Sequence, residues 1–478
     1  MKKRVLNIVA VFCATVMLFM IGYGILSVLR PNKESPIPII NAVELYAKSC
    51  AALDTQSEMV LTIEKIVETR IENSVFTEKA NETISIDKKD SGSEYIRSAG
   101  TIDIGGHVFS VTQLFTDDTD YLEINGAYFC GNTDPNRSLH SPPAILLNSN
   151  VYQMISGVND GENYIISFEQ PTQAEPWAIN ENDTFVNAKG TAWISYSGQL
   201  VKSQYEITST SGGITTSTIY SVSATITDIN IDLPENKSEY KNISYLDGPL
   251  MLERASGYLL QAQNVSSKYN DEIYFQAFGD TRTQSITLHT YDEKTFAANV
   301  NTETYLKNDS RVGQDTQLRK KELFVNGNYL LGLDGAEPTV NKDVSEKDMQ
   351  TYCKNLLVGT IILPQHIADI QMSKSESSIH ITINTNEEFA KSIRSNAGQT
   401  LYQKPEMLDS LIQSIKAESI QCYLDLDPVT GLAIASGICY DGKFIITDNA
   451  CTLRYKIDQS YDLISENAKE EIQKAAGA

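Results

Sequence analysis

The chain is short of basic residues, histidine and tryptophan. It carries 39 Lys and Arg against 61 Asp and Glu, a formal charge of −22. That deficit argues against a nucleic-acid partner, because such binding draws its affinity from cations that neutralise phosphates. The five histidines are His107, His140, His289, His366 and His380. None forms a His-Glu-x-x-His pair or a close His/Cys cluster. His289 and His380 sit beside Thr287 and Thr382 in alternating segments and are expected to be solvated or locally hydrogen-bonded. No Cys-x-x-Cys, Gly-x-Ser-x-Gly, phosphate loop or dinucleotide fingerprint occurs, so the common metal, nucleophile and nucleotide motifs have no support. Two tryptophans, Trp177 and Trp193, are poor material for a sugar-stacking cleft. Asp425 and Asp427 alternate beside a turn, but glycoside chemistry would need such a cleft and a partner carboxyl at a defined separation. Asp117-Asp118-Thr119-Asp120 lacks the twelve-residue loop and closing Glu of a calcium site and reads as a solvated loop. The expectation is no enzyme, no cofactor and no metal.

One long apolar run is present. After the basic cap Lys2-Lys3-Arg4, Val5 to Leu29 carries no charge. As a helix, its 25 residues would span about 37 Å, enough for a bilayer core of about 30 Å. The run exceeds a secretory signal core, and no clear small-x-small cleavage site follows it. The reading is an uncleaved signal anchor, with a long cleaved signal peptide as the alternative. The cap places the N-terminus in the cytoplasm and everything after Arg30 outside. Without Lys2, Lys3, Arg4 and Arg30, 35 basic groups face 61 acidic ones, near −26 for the exported part. Anionic headgroups would repel that charge, so the exported part is expected to stand off the membrane. Pro31, Pro36 and Pro38 mark residues 31–40 as an extended spacer.

The remainder repeats one plan twice. Asn41-Ala42-Val43-Glu44 opens a helix with Val43, Tyr46, Ala47, Cys50 and Leu53 at helical spacing. Asp247-Gly248-Pro249 opens another with Leu252, Ala255, Leu259 and Ala262. Alternating strands follow each, as in Thr83–Ile86 and Ser285–Leu288. The hairpin around Asn125-Gly126 matches the one around Asn326-Gly327, since both turn positions need positive φ. Helical stretches are expected around 144–155 and 349–362, then hairpins turning at Gly198 and Gly431, then closing strands near 214–233 and 444–457. An added helix is expected over 405–415 in the second copy.

The element order, the Asn-Gly hairpin and the Asp427-Pro428-Val429-Thr430-Gly431-Leu432 turn resemble the lipoprotein-carrier fold. That family includes periplasmic lipoprotein chaperones and lipid-binding mycobacterial lipoproteins. The resemblance implies a half-open barrel whose concave apolar face is crossed by helices and, in carrier members, holds acyl chains. This chain departs from the pattern in being tandem, anchored and without a lipobox. The expected fold class is therefore α+β. An N-terminal transmembrane helix (1–30) and a spacer (31–40) precede two tandem curved antiparallel half-barrels (41–240 and 247–461), each crossed by amphipathic helices. A polar tail (462–478) ends the chain.

Six cysteines lie outside the apolar run: Cys50, Cys130, Cys353, Cys422, Cys439 and Cys451. An even number in an exported chain permits disulfides. Cys50 with Cys130 is the pair available in the first copy. If Asp427 pairs with Leu432, Cys422 faces Gly437 and lies diagonal to Cys439 on one face. The alternative is six small buried thiols. The function expected is a membrane-tethered, extracytoplasmic, non-catalytic binding protein of a bacterial envelope, holding a lipid or lipoprotein-like ligand. The alternative is a structural module presenting its surface to another envelope protein. Whether helices fill the concave faces or leave ligand space is open at this level.

Overall fold

A computed structural model of the chain describes residues 35–37, 39–54, 56–88, 94–116, 118–131, 154–171, 184–211, 213–276, 280–292, 297–309, 314–334, 336, 339–341, 344–393, 416–446, 449–465 and 468–477. The apolar run Val5–Leu29, most of the stretch expected as a helix over 144–155, and all of 405–415 lie outside these residues. No described helix is long and apolar enough to cross a membrane.

Strands dominate, so the described chain is mostly β with few helices rather than an even α+β mixture. The first unit holds β1 (Ser35–Ile37), helix α1 (Ile39–Asp54), β2 (Glu58–Ile71), β3 (Ser74–Lys88), β4 (Glu94–Ile104), β5 (His107–Phe115), β6 (Asp120–Ile124), β7 (Ala127–Gly131), β8 (Met154–Asn159), β9 (Asn163–Pro171), β10 (Thr184–Ser195), β11 (Leu200–Ser211) and β12 (Ile214–Ile226). A connector with β13 (Lys241–Asn242) leads to α2 (Gly248–Gln261). The second unit follows: β14 (Asn264–Gln276), β15 (Asp280–Asp292), β16 (Ala297–Asp309), β17 (Gln314–Val325), β18 (Asn328–Leu333), β19 (Thr339–Asn341), α3 (Glu346–Val358), β20 (Ile367–Lys374), β21 (Ile379–Thr385), a helical stretch at 387–393, β22 (Lys416–Leu426), β23 (Ala433–Ile446), β24 (Asn449–Asp462) and α4 (Ala468–Gly477).

Each unit makes one large sheet, antiparallel except where β13 joins β7 in parallel. The first runs β1-β8-β9-β10-β11-β12-β2-β3-β4-β5-β6-β7-β13, the second β19-β18-β17-β16-β15-β14-β24-β23-β22-β21-β20. The shared plan is the seam: the last long strand returns to pair with the first strand after the helix, β12 with β2 and β24 with β14. The Asn-Gly turns have the positive φ expected at all four positions. Counted from the seam, however, they close the fifth and sixth strands in the first unit and the fourth and fifth in the second. Their likeness is therefore one of turn chemistry and not of position. The Gly198 and Gly431 turns do occupy equivalent places, between β10 and β11 and between β22 and β23.

The boundary expected at 240–247 does not separate two cores. Helix α2 is buried on both sides. Leu252, Ala255 and Leu259 lie on one stripe and are fully buried, and Gly248 on that side abuts Ile370 of β20. On the opposite side, Glu253, Arg254, Gly257, Tyr258 and Gln261 face the first sheet, following helical periodicity. A single apolar cluster consequently runs from Ile104, Phe109 and Phe129 through α2 to Tyr291, Ile381 and Tyr440. A separate cluster sits under α1, where Ala42, Tyr46 and Leu53 cover Met59, Leu61 and Ile96.

Two expected segments differ in form. The spacer is already structured, with Ser35–Ile37 pairing with Gly157–Asn159 and α1 starting at Ile39. The polar tail holds α4, docked on the outer face of the second sheet. Its Ala468 and Ile472 are buried, Ile472 packs with Ala297 and Leu323, and Glu471 accepts a hydrogen bond from Thr290 at 3.3 Å. Two apolar contacts in an otherwise polar stretch are enough to seat a short helix on a preformed surface, and composition alone hides them.

Gly257 lies so close to Ile104 that any Cβ would collide with that side chain. Gly257→Leu is expected to cost about 1–3 kcal/mol by overpacking. Urea denaturation of the full chain would read this as a lowered midpoint, and an unchanged midpoint would mean α2 is not seated on Ile104.

Candidate functional site

The inner, helix-covered face of the first sheet is covered at its two ends. Helix α1 covers one end and α2 covers the other, against Phe76, Ile104 and Phe109. Between them lies a strip of half-buried side chains: Lys65, Val67, Ala80, Glu82 and Tyr220, with Gly100. Strand register builds it, because Tyr220 is opposite Lys65, Lys65 opposite Ala80, and Glu82 opposite Gly100. Tyr220 stacks on the buried Tyr205 ring at 4.9 Å, and the Lys65 Nζ stands 5.9 Å above the Tyr220 ring. Burial, reinforced by Glu78 and Glu82, pushes the Tyr220 phenol up to about 12. Glu82 accepts a hydrogen bond from the Ser98 hydroxyl.

At the strip's border the buried Glu78 binds α2. It accepts from Arg254 Nη2 at 3.0 Å and from the Tyr258 hydroxyl at 3.3 Å. Burial alone would raise the Glu78 carboxyl, but Arg254, Lys65 and the two hydrogen bonds hold it below the usual carboxylate range. Further along the same contact, Glu253 takes His107 Nε2 at 2.6 Å and the Asn125 amide at 3.1 Å. Thr77 and Gln261 exchange hydrogen bonds at 2.9 and 3.3 Å.

The inner face of the second sheet is closed by α2, α3 and the stretch 387–393, with Cys353, Leu357, Ala390 and Ile393 all buried. It also buries polar groups. Thr360, Ser436, Gln459 and Tyr461 form one hydroxyl and amide cluster. Glu322 accepts from Tyr329 at 2.6 Å and Tyr352 at 3.2 Å. Burial raises the Asp271 carboxyl to about 6, although Tyr455 donates to it. His289, expected to be solvated or locally hydrogen-bonded on a polar face, is buried here beside Ser267. Burial lowers its imidazole to about 4, and Ser267 lies 3.4 Å from its Nδ1. Alternation with Thr287 suggested a wet face, but that face is the inner one and both residues are buried.

Two hollows lined by described residues lie mainly on the outer faces. One of about 920 Å³ crosses β8–β12 and is lined by Ser167, Glu169, Lys189, Gln204 and Glu206. The other, about 460 Å³, is lined by Glu272, Tyr274, Lys307, Cys439, Arg454 and Lys456. Their walls are mixed in charge, with Lys189 on Glu206 at 2.9 Å and Arg454 on Asp441 at 3.0 Å.

The carboxylates considered for catalysis have other partners. Asp425 holds His380 Nδ1 at 2.6 Å, and the His380 ring stacks on Tyr423. Asp427 locks its turn by accepting from the backbone of Val429 and Thr430 and from the Thr430 hydroxyl. Asp120 accepts from the Thr116 backbone, and Asp117 lies outside the described residues. Among the described residues no group of His, Cys, Asp or Glu has the placement to hold a metal ion.

Cys50, Cys130, Cys353, Cys422 and Cys439 form no disulfide with one another. One residue separates the faces of Cys422 and Cys439, for which the sequence left both a bridge and free thiols open. Asp427 does pair with Leu432, but Ile434 bulges out between Ala433 and Ala435. That extra residue sets Cys422 opposite Ile438, so Cys422 points inward and Cys439 outward. Cys50 is on the buried face of α1, while Cys130 packs beside Tyr240 in a different cluster.

No protein-family model matches the chain, and no curated protein matches it. Solved structures do. LprF from Mycobacterium bovis is similar at 14% identity over 42% of this chain and 99% of that one, with a TM-score of 0.25. A DUF1329 family protein from Desulfovibrio piger gives 11% identity, 42% and 96% coverage and a TM-score of 0.17. A LolA superfamily protein from Nitrosomonas europaea gives 10%, 41% and 96%, and 0.15. Proteins of the lipoprotein-carrier class thus stand among the structures this chain resembles. Likeness at this level carries no functional argument, and the description of the fold rests on the strand order.

Two outcomes follow from this geometry. Glu78 is depressed in the folded chain, so its stabilisation is present above the unfolded carboxylate value near 4.3 and lost as pH falls through the folded one. The difference in unfolding free energy between the native chain and Glu78→Gln should be greatest at neutral pH and shrink on acidification. In thiol labelling, Cys439 should react first, with Cys50, Cys353 and Cys422 protected until the chain unfolds.

Proposed function

We propose that the chain is a membrane-tethered, extracytoplasmic, non-catalytic binding protein. In this reading it holds an amphiphile, a lipid or lipopeptide, on the inner face of the first unit. The strip between α1 and α2 carries the proposal. It sets apolar Val67, Ala80 and the Tyr220 ring beside Lys65 and Glu82, and no described helix lies over it. An acyl chain would bury apolar surface there at about 25 cal/mol per Å², while Lys65 and Glu82 offer a polar end something to bond. The tether is supported by Lys2-Lys3-Arg4 and the 25-residue apolar run, which together set the N-terminus in the cytoplasm.

The outer hollows favour a second reading, an interaction module that presents its surface to another envelope protein. Walls that combine apolar surface with charges of both signs suit a protein partner.

Native mass spectrometry of the chain, followed by lipid extraction, separates the two. The binding reading expects a bound amphiphile that Ala80→Trp expels while leaving the denaturation midpoint near that of the native chain. An empty native chain that cross-links in cells to a stable protein neighbour would overturn it in favour of the second.

A further inference from the structure

The strand β1 fixes which end of the first unit faces the bilayer. Ser35 pairs with Asn159, and Ile37 with Gly157, so the chain enters the sheet at the β8–β9 turn and runs inward from there. Between Arg30 and Ser35 lie at most about 18 Å of fully extended chain. The headgroup layer beyond the hydrocarbon core accounts for roughly 5–7 Å of that. The opposite end of the unit is taken. The β2–β3, β4–β5 and β6–β7 turns lie there, and α2 sits on them through Thr77, Gly105, His107 and Asn125. Among the described residues α2 covers the opposite end only, and the apolar run is tied to this one.

That end carries side chains suited to an interface. Tyr196 in the β10–β11 turn is 52% exposed, donates to Asn159 at 2.7 Å and meets Tyr164 edge to face at 5.1 Å. Close by, the Lys202 Nζ stands 5.6 Å over the Trp193 ring, and Val201 is exposed. Tyrosine, tryptophan and lysine are the residues that settle at headgroup level. Asp160 and Glu162 in the neighbouring turn exclude strong attraction to anionic lipid, which leaves neutral and zwitterionic headgroups as the partner.

We infer that the β8–β9 and β10–β11 turns of the first unit rest on the bilayer surface, with Tyr196 and Trp193 at headgroup level and the second unit held away from the membrane. This replaces the expected stand-off and rests on the anchor of the proposed function. The test uses the full chain in phosphatidylcholine vesicles. Trp177→Phe leaves Trp193 as the single tryptophan of the two the chain contains. A distal reporter is made by Trp177→Phe, Trp193→Phe and Val75→Trp, at the end bearing α2. Denaturation midpoints matching the native chain establish that both reporters fold. Lipids spin-labelled at the headgroup should quench most of the Trp193 emission and leave the distal reporter bright. Equal quenching, or quenching of the distal reporter alone, overturns the orientation. So does emission from both unchanged in a chain that floats with the vesicles, since the anchor then holds while the unit stands clear. A chain that does not float with vesicles overturns the anchor and this inference with it.

Discussion

Helix α2 holds this molecule together, because both of its sides are buried and each belongs to a different sheet. An isolated amphipathic helix covers one core. Here the apolar stripe Leu252–Ala255–Leu259 is fully buried, while the polar side meets the first sheet through Glu253, Arg254, Tyr258 and Gln261. Two glycines make the fit, Gly248 against Ile370 and Gly257 against Ile104. The Glu78 and Glu253 contacts then fix rotation and register, because a buried carboxylate left without its cation or donors costs more than an apolar mismatch. The joint is consequently a packed core with a polar lock. A linker between two beads would show neither.

What could be read from the sequence followed the strength of its periodicities. The helix positions Leu252, Ala255 and Leu259, the strand pairs Thr83–Ile86 and Ser285–Leu288, and the positive-φ Asn-Gly turns all stand where the pattern set them. The second contact of α2 was hidden because its residues are polar, and a polar helix face reads as solvent. His289 failed for the mirror reason: alternation identifies two faces of a strand but not which one is covered. The Cys422–Cys439 pairing failed on one bulged residue, Ile434, which leaves no compositional mark and reverses every side chain beyond it.

The candidate site shows the same division. Its individual residues are unremarkable in sequence, with Lys65, Ala80, Glu82 and Tyr220 spread over 156 positions. They come together because β12 returns to β2, a pairing that nothing local encodes. The two units also use their inner faces differently. In the second, three helical segments and a hydroxyl cluster close the space, whereas in the first the two helices leave a band of intermediate burial between them. Duplication of a plan has therefore not meant duplication of a surface.

The seam between β2 and β12 has a consequence for how the chain is made. The seam runs from Ile71 opposite Ile214 to Met59 opposite Ile226. A chain made from its N-terminus must extend through Ile214 before that pairing can begin. Non-local closures of this kind are slow and leave strand edges exposed while they wait. Part of the inner cover of the same sheet comes later still, since α2 follows the closing strand. The first unit is thus completed by material that belongs, by sequence order, to its successor, and its newly made form is the state most in need of protection from aggregation.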